Sequence, residues 1–194
     1  ILFEKNALGS DQTVASQGMI HGGMKYTLNG TLTGASEAIA EMPIHWQQCM
    51  AGHGDVDLKG AAKLSDHFYM WSSTSVLSKM TTFLASKTAR GRIDKVSKDD
   101  LPPIFQNNKF KGSVYRLLDI VLDVPSVVRI LANNYLGRIF KINWKNTQWR
   151  KDANNKASLV FFYNNQEYSL NANQFILTAG EGNESILNEI GEES

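Results

Sequence analysis

The chain combines two periods of apolar residues, one typical of strands and one typical of helices. Short apolar or alternating runs predict strands at residues 1–4, 66–71, 114–118, 120–124 and 138–143. A meander of antiparallel strands is predicted over residues 147–170, turning at Asn164-Asn165, and a last apolar strand over residues 174–179. Because helical segments lie between these strands, the pattern predicts an α/β or mixed α+β fold.

Spacings of three and four predict the helices. They indicate a helix over residues 35–50, kinked or broken by Pro43 and ended by Gly52 and Gly54, and an amphipathic helix over residues 75–87 before Gly91. Pro125 is predicted at the first position of another helix, with Gly137 as its C-terminal cap. A short helix is predicted over residues 185–190.

Composition narrows the class of protein. The 194 residues are 42% hydrophobic and 20% charged, which is typical of a globular protein with a buried core. The net charge of +1 argues against nucleic acid or anionic lipid as a partner. Apolar runs fall well short of the roughly 20 residues that span a bilayer. Oligomeric state is left open.

Cys49 is the lone cysteine, so it cannot form an internal disulfide or supply a multi-cysteine metal site. We interpret it as a small apolar side chain in a helix. A single cysteine without a disulfide partner fits a reducing cytoplasm. The run from Gly52 to Asp57 contains His53 and could suggest a metal site, but loop-forming residues explain it more simply. His45 and His67 are taken as ordinary residues, and no metal site is predicted.

Two features point to cofactor chemistry. The opening strand ends in Glu4, and a carboxylate at the end of a strand can accept hydrogen bonds from both hydroxyls of a ribose. About ten residues later, small residues lead from Thr13 to Gly18, Gly22 and Gly23. Such a segment lets backbone N–H groups approach a flat, phosphate-bearing ligand closely.

With these residues the chain resembles the D-amino-acid-oxidase-like, or glycine-oxidase-like, superfamily of FAD-dependent oxidoreductases. There, a strand ending in Glu precedes a loop of the type Ala-Ser-x-x-Gly-x-Ile-x-Gly-Gly, which the segment from Ala15 to Gly23 resembles with one residue fewer between Ser16 and Gly18. Residues 19–26 are also similar to relatives of glycerol-3-phosphate dehydrogenase. The run from Gln174 to Gly180 resembles the family's apolar strand ending in Ala-Gly.

The resemblance implies FAD as cofactor and a partial Rossmann-like domain that binds it. It implies that Glu4 binds the adenosine ribose and that the backbone around Ile142 meets the adenine. The segment from Ala15 to Gly18 would approach the pyrophosphate and flavin, with Ile20 to Gly22 near the isoalloxazine. The full set of cofactor-binding residues expected on this basis is Glu4, Lys5, Ala15, Ser16, Gln17, Gly18, Ile20, His21, Gly22, Ile142, Ala179 and Gly180. Catalytic residues are not assigned.

The sequence departs from the family in two respects. The first Gly-x-Gly-x-x-Gly loop, expected before the strand holding Glu4, is absent from it, and so is the carboxyl half expected after Ser194. The chain also opens on a strand without an initiator Met. We therefore expect a fragment that binds FAD weakly alone, divided into an FAD-binding segment (1–44), a substrate-side cap (45–136) and a return to the FAD-binding domain with the meander (137–194). Tyr69, Trp71 and Tyr115 are suggested for the substrate lining.

The expected activity is hydride transfer from a small amine or hydroxy acid to the flavin. Two alternatives stay open, a non-enzymatic α/β binding or scaffold module and a flavoprotein subunit that only transfers electrons. A rival dinucleotide fingerprint at residues 180–185 carries Ser in place of its last glycine, and only nine residues follow it, too few for a helix and a strand.

Overall fold

The structure is a computed structural model that describes residues 1–23, 39–72 and 93–191. The chain forms two compact units. The terminal unit consists of Ile1–Asn6 and Arg138–Ser194, and the central unit consists of Ala7–Gly137.

Strands and helices alternate irregularly along the described chain. The strands are β1 (Leu2–Glu4), β2 (Met19–Ile20), β3 (Lys63–Ser65), β4 (Phe68–Ser72), β5 (Ile93–Lys95), β6 (Ser113–Leu117), β7 (Ile120–Leu122), β8 (Ile139–Lys141), β9 (Thr147–Lys151), β10 (Ala157–Tyr163) and β11 (Gln166–Asn171). The α-helices are α1 (Gln12–Ala15), α2 (Met42–Ala51), α3 (Val124–Asn133) and α4 (Gly182–Ile190). Short 3₁₀ turns span Pro103–Phe105, Leu136–Arg138 and Trp144–Asn146. The predicted mixed α/β class is confirmed.

The terminal unit begins with a parallel strand pair. β1 pairs with β8 in the register Leu2↔Ile139 to Glu4↔Lys141. Parallel neighbours need a crossover connection, and here that connection is the whole central unit. The opening strand predicted at residues 1–4 is therefore confirmed as a member of a parallel sheet.

The meander is confirmed. β9, β10 and β11 form a three-stranded antiparallel sheet, and Leu159 and Val160 of β10 are fully buried. Asn164 and Asn165 turn the chain between β10 and β11 with φ of 50° and 61°. Asn tolerates this left-handed region better than most residues, which explains the tight connection.

The strand predicted over residues 174–179 is wrong. The described residues 172–181 include no strand, and Ile176 is 77% exposed. Phe175 instead packs edge-to-face on Trp149, with ring centroids 5.0 Å apart. Apolar side chains can anchor an extended segment in this way, but a strand also needs a neighbour to hydrogen-bond with, and none of the described strands pairs here.

The central unit contains two small sheets, ordered β2-β7-β3 and β4-β6-β5. Its main core cluster is formed by Cys49, Leu58, Ile120, Leu122 and Val127. Ile120 and Leu122 belong to β7, Val127 to α3 and Cys49 to α2. The core therefore packs the first sheet against α2 and α3.

Helix α2 begins at Met42, with Pro43 in its first turn rather than at a kink inside it. Pro is tolerated there because the first N–H groups of a helix have no intrahelical acceptor. Gly52 ends the helix in the left-handed conformation with φ of 75°, as predicted, and its N–H donates to the carbonyls of Gln48 and Cys49.

Pro125 lies in the first turn of helix α3 as its second residue, one position after the predicted first position. Asp123 caps the helix, because its carboxylate accepts the Ser126 N–H at 3.1 Å. The C-terminal cap predicted at Gly137 is wrong. The helix ends at Asn133, and Gly137 lies in the following 3₁₀ turn.

Several predictions fall outside the described residues. They concern the first part of the helix predicted over residues 35–50 and the helix over residues 75–87 with Gly91. The predicted cofactor and cap boundaries at 44 and 136 stay predictions. Residues 7–44 belong to the same compact unit as residues 45–137.

Among the helices of the described ranges, none has the length and apolarity to cross a lipid bilayer.

Candidate functional site

Glu4 and Ile142 meet at the carboxyl ends of the parallel strands β1 and β8. The Ile142 N–H donates to the Glu4 carbonyl at 3.0 Å, which extends the ladder by one bond beyond β8. The Glu4 carboxylate is half-buried and accepts the Asn6 N–H at 2.9 Å through Oε1. Oε2 has no hydrogen-bond partner within the described ranges, so this carboxylate retains acceptor capacity. Lys5 beside it is exposed.

The segment expected to approach the pyrophosphate begins as a single helical turn, α1, in the central unit. Ala15, Ser16 and Gln17 are exposed at its end. The Ser16 hydroxyl donates to the Thr13 carbonyl at 2.8 Å, which closes this turn on itself. Small exposed residues leave the backbone accessible along this stretch.

Gly18 is required by its contact with β7. Its φ is 64°, and a Cβ built there would lie 2.2 Å from the carbonyl oxygen of Leu122. The Leu122 N–H donates to the Gly18 carbonyl at 2.8 Å, so the two backbones are locked together. The absence of a side chain at Gly18 therefore serves the packing of the central unit.

Farther along the segment, the backbone N–H groups donate to side chains of the protein itself. The Gly22 N–H donates to Asp119 Oδ1 at 3.0 Å, and the Gly23 N–H donates to His21 Nδ1 at 3.3 Å. Gly22 also lies against the Ala40 carbonyl, 3.0 Å from where a Cβ would stand. Ile20 packs against the core cluster.

Most amides of this segment are thus used within the protein. The N–H groups of Val14, Ala15 and Ser16 donate to carbonyls of the α1 turn and the loop before it. Within the described residues, the N–H groups of Gln17 and Gly18 have no acceptor. These two adjacent amides can donate to a ligand.

Asp119 is the residue that sequence reasoning missed. It is 7% exposed and lies between β6 and β7. Burial raises the pKa of its carboxyl, and the Gly22 N–H and the charge of His21 offset part of that increase. A signal was present, because a carboxylate between the apolar runs of β6 and β7 is unusual unless a specific donor holds it.

Ala179 and Gly180 lie in an exposed turn before α4. The Ala179 N–H donates to Asn183 Oδ1 at 2.8 Å, and the Asn183 N–H donates to the Gly180 carbonyl at 3.1 Å. Gly180 has φ of 59°, with open space where a Cβ would stand.

The suggested substrate-lining aromatics do not share one surface. Met70 of β4 is paired with Tyr115 of β6, and residues paired across an antiparallel ladder point to the same face. Tyr69 and Trp71 alternate with Met70, so they point to the opposite face from Tyr115. Trp71 is 58% exposed and lies beside the rings of Phe105 and Phe110, whereas Tyr115 is buried.

The chain is 41% identical over 191 residues to "Probable FAD-dependent oxidoreductase PA4991" of Pseudomonas aeruginosa, with 98% of this chain covered. This chain is similar to an FAD-dependent oxidoreductase. It spans 47% of the length of that relative. No protein-family model matches the chain.

Two solved structures share the fold. The crystal structure of the Pseudomonas aeruginosa FAD-dependent oxidoreductase PA4991 superposes with a TM-score of 0.69 at 34% identity, covering 99% of this chain and 44% of that one. The crystal structure of iminodiacetate oxidase from Chelativorans sp. BNC1 superposes with a TM-score of 0.57 at 12% identity, covering 96% of this chain and 50% of that one.

Proposed function

We propose that the protein to which this chain belongs is an FAD-dependent oxidoreductase that oxidises a small amine or hydroxy acid. The observation that carries the proposal is the 41% identity, over nearly the whole chain, to a protein named as a probable FAD-dependent oxidoreductase. The resemblance of residues 4 and 15–23 to D-amino-acid-oxidase-like enzymes supports the substrate class.

In this proposal the terminal unit holds the adenosine part of FAD. The carboxylate of Glu4 accepts hydrogen bonds from the ribose hydroxyls, and the backbone at Ile142 lies along the adenine. Two observations support the fit. The ends of two parallel strands bring these residues together, as in dinucleotide-binding sheets, and one Glu4 oxygen is available as an acceptor.

For the glycine segment, the resemblance supports an approach to the pyrophosphate and the flavin. Gln17 and Gly18 donate their free amides, and Ala15 and Ser16 keep the approach clear of large side chains. FAD held by these residues would supply the hydride acceptor for the oxidation. His21 contacts the cofactor, and Gly22 holds its place through Asp119.

The remaining assignments follow the same resemblance. Lys5, Ala179 and Gly180 approach the cofactor, and Ile20 lies near the isoalloxazine. The segment of residues 45–135 lines the substrate side, where Trp71 offers an exposed aromatic surface. We also propose a cytoplasmic location, supported by the single unpaired Cys49.

The test is a matched pair of variants in the full-length protein, Glu4→Gln and Glu189→Gln. Both remove one carboxylate from the terminal unit, but Glu189 is an exposed residue of α4. A hydrogen bond to a charged group is worth about 1.5–3 kcal/mol, so Glu4→Gln should weaken FAD binding by roughly 10- to 100-fold. Glu189→Gln should leave it unchanged. Flavin absorbance after purification, and reconstitution of the apoprotein with FAD, measure this.

Three outcomes would count against the proposal. Full-length protein without flavin bands that also fails to take up FAD would favour a scaffold module. Equal FAD affinity in the two variants would remove Glu4 from the site. Flavin-loaded protein that turns over neither amino acids nor hydroxy acids, while exchanging electrons with a redox protein, would favour the electron-transfer alternative.

A further inference from the structure

A histidine and a cysteine of α2 converge with a carboxylate from the loop that follows the helix. His45 Nε2 lies 3.1 Å from Asp55 Oδ1 and 3.8 Å from Cys49 Sγ, and Sγ lies 3.6 Å from the same carboxylate oxygen. We propose that these three side chains bind a divalent cation of the zinc class. This inference is independent of the flavin and uses none of the residues assigned to it.

The local sequence builds the cluster in two steps. His45 and Cys49 are four residues apart on α2, so their side chains lie on the same face of the helix. Gly52 then turns the chain back in the left-handed conformation, and the Leu58 N–H donates to the Cys49 carbonyl at 3.0 Å. This reversal of the chain places the Asp55 carboxylate close to the Cys49 thiol.

Gly54 shows how closely the loop covers the cysteine. A Cβ built on Gly54 would lie 2.4 Å from Cys49 Sγ and 2.9 Å from its backbone nitrogen. A residue with a side chain would force the loop away from the helix. The glycine therefore permits the approach that brings the carboxylate of Asp55 within reach of sulfur.

The distances match a tetrahedral zinc centre. Zinc–ligand bonds of about 2.0 Å to oxygen or nitrogen and 2.3 Å to sulfur give tetrahedral edges of about 3.3 Å for N···O and about 3.5 Å for S···N and S···O. The corresponding distances here are 3.1, 3.8 and 3.6 Å. Each ligand atom needs to move by only a few tenths of an ångström to bind one ion, and a fourth position stays open for water.

Electrostatics and exposure favour the same ion. Cys49 lies in the last turn of α2, where the partial negative charge of the helix end attracts a cation. The Cys49 side chain is buried, while the side chains of His45 and Asp55 are 45% and 73% exposed, so an ion can enter from solvent and meet the sulfur last. Imidazole, thiolate and carboxylate together are a donor set typical of zinc.

The structure confirms the interpretation of Cys49 as a buried side chain in a helix, and the proposed cation adds a role for Cys49 and for His45 that the sequence interpretation did not include. Spacing on α2 could have paired these two. The contribution of Asp55 depends on the chain reversal at Gly52, and sequence alone does not fix how closely such a loop folds back.

The experiment titrates Zn²⁺, and Co²⁺ as a spectroscopic probe, into the intact protein. The matched variants are Asp55→Asn and Asp57→Asn, which make the same charge change two residues apart, while the Asp57 carboxylate accepts the Lys59 N–H instead of joining the cluster. Asp55→Asn and His45→Gln should each weaken Zn²⁺ binding by at least about 100-fold, since loss of a mere outer-shell partner costs 10- to 100-fold. Asp57→Asn should bind like the unmodified protein.

Binding through Cys49 can be detected by spectroscopy. Co²⁺ bound to a thiolate gives a sulfur-to-metal charge-transfer band, which Cys49→Ser should abolish, and zinc binding should release a proton because the thiol must ionise. Circular dichroism checks that each variant folds. The proposal is overturned if Zn²⁺ fails to bind in one equivalent, if Asp55→Asn and Asp57→Asn bind alike, or if the Co²⁺ complex lacks the thiolate band. Those results would leave the cluster as a hydrogen-bonded brace for the loop.

Discussion

Replacing Asp119 with alanine should destabilise the central unit by leaving a buried donor without a partner. The Gly22 N–H donates to Asp119 across 97 positions of sequence, both residues are buried, and the bond length is 3.0 Å. An unsatisfied buried donor costs about 1–3 kcal/mol. We therefore expect Asp119→Ala to lower the free energy of unfolding by about that amount and to expose the Gly22 amide to hydrogen exchange.

Asparagine at the same position separates the hydrogen bond from the charge. Burial raises the pKa of Asp119 above its ordinary value of 3.8, so the native state binds the proton more tightly than the unfolded state. The stabilisation linked to protonation is complete below pH 3.8 and is lost as the pH rises through the native pKa. Above that pKa the wild type buries a charge, whereas Asp119→Asn keeps an acceptor oxygen without one.

The assay is urea unfolding of wild type, Asp119→Asn and Asp119→Ala from about pH 4 to about pH 8. The free energy of unfolding of Asp119→Asn relative to wild type should rise with pH and then level off. Asp119→Ala should be less stable than Asp119→Asn throughout. The reasoning is refuted if the alanine variant is as stable as the asparagine variant with an equally protected Gly22 amide, or if the Asn-to-wild-type difference is independent of pH.

The remaining predictions concern backbone geometry. Gly18→Ala should lower the free energy of unfolding by more than about 2 kcal/mol, because its Cβ would lie 2.2 Å from the Leu122 carbonyl oxygen. Gly180 has a similar φ with open space around it, so Gly180→Ala should cost only about 1 kcal/mol of backbone strain. Thermal unfolding compares the two variants, and equal losses of stability would contradict the predicted clash. Asn165→Gly should raise the free energy of unfolding by up to about 1 kcal/mol, since φ of 61° suits glycine, and a fall in urea midpoint would argue against it. Asp123→Ala should lose about 1 kcal/mol by removing the cap of α3, visible as reduced helicity and a lower melting temperature.

Local chemistry explains what the sequence predicted well. The Asn164-Asn165 turn fixes the meander by tolerance of positive φ, and Pro125 marks the start of α3 because few other places accept it. The pairing of Glu4 with Ile142 was also within reach, since the carboxyl ends of parallel strands share one sheet edge.

Long-range pairing explains what the sequence did not predict. Asp119 and Gly22 meet because β7 pairs with β2, and the local sequence pattern does not predict the register of that pairing. The run from Gln174 to Ala179 has the composition of a strand, but its pairing depends on a neighbour. Asp55 joins His45 only through the reversal at Gly52.

The parallel pair of β1 and β8 has a consequence for how this protein folds. The two strands are separated by roughly 130 residues, and closing such a loop costs only about 1.3 kcal/mol more than closing one of 30, by the logarithmic dependence on length. Insertions of very different size can therefore be accommodated between these strands at little thermodynamic expense. The burden falls on kinetics, because the pair must wait until the intervening chain has been synthesised and has collapsed.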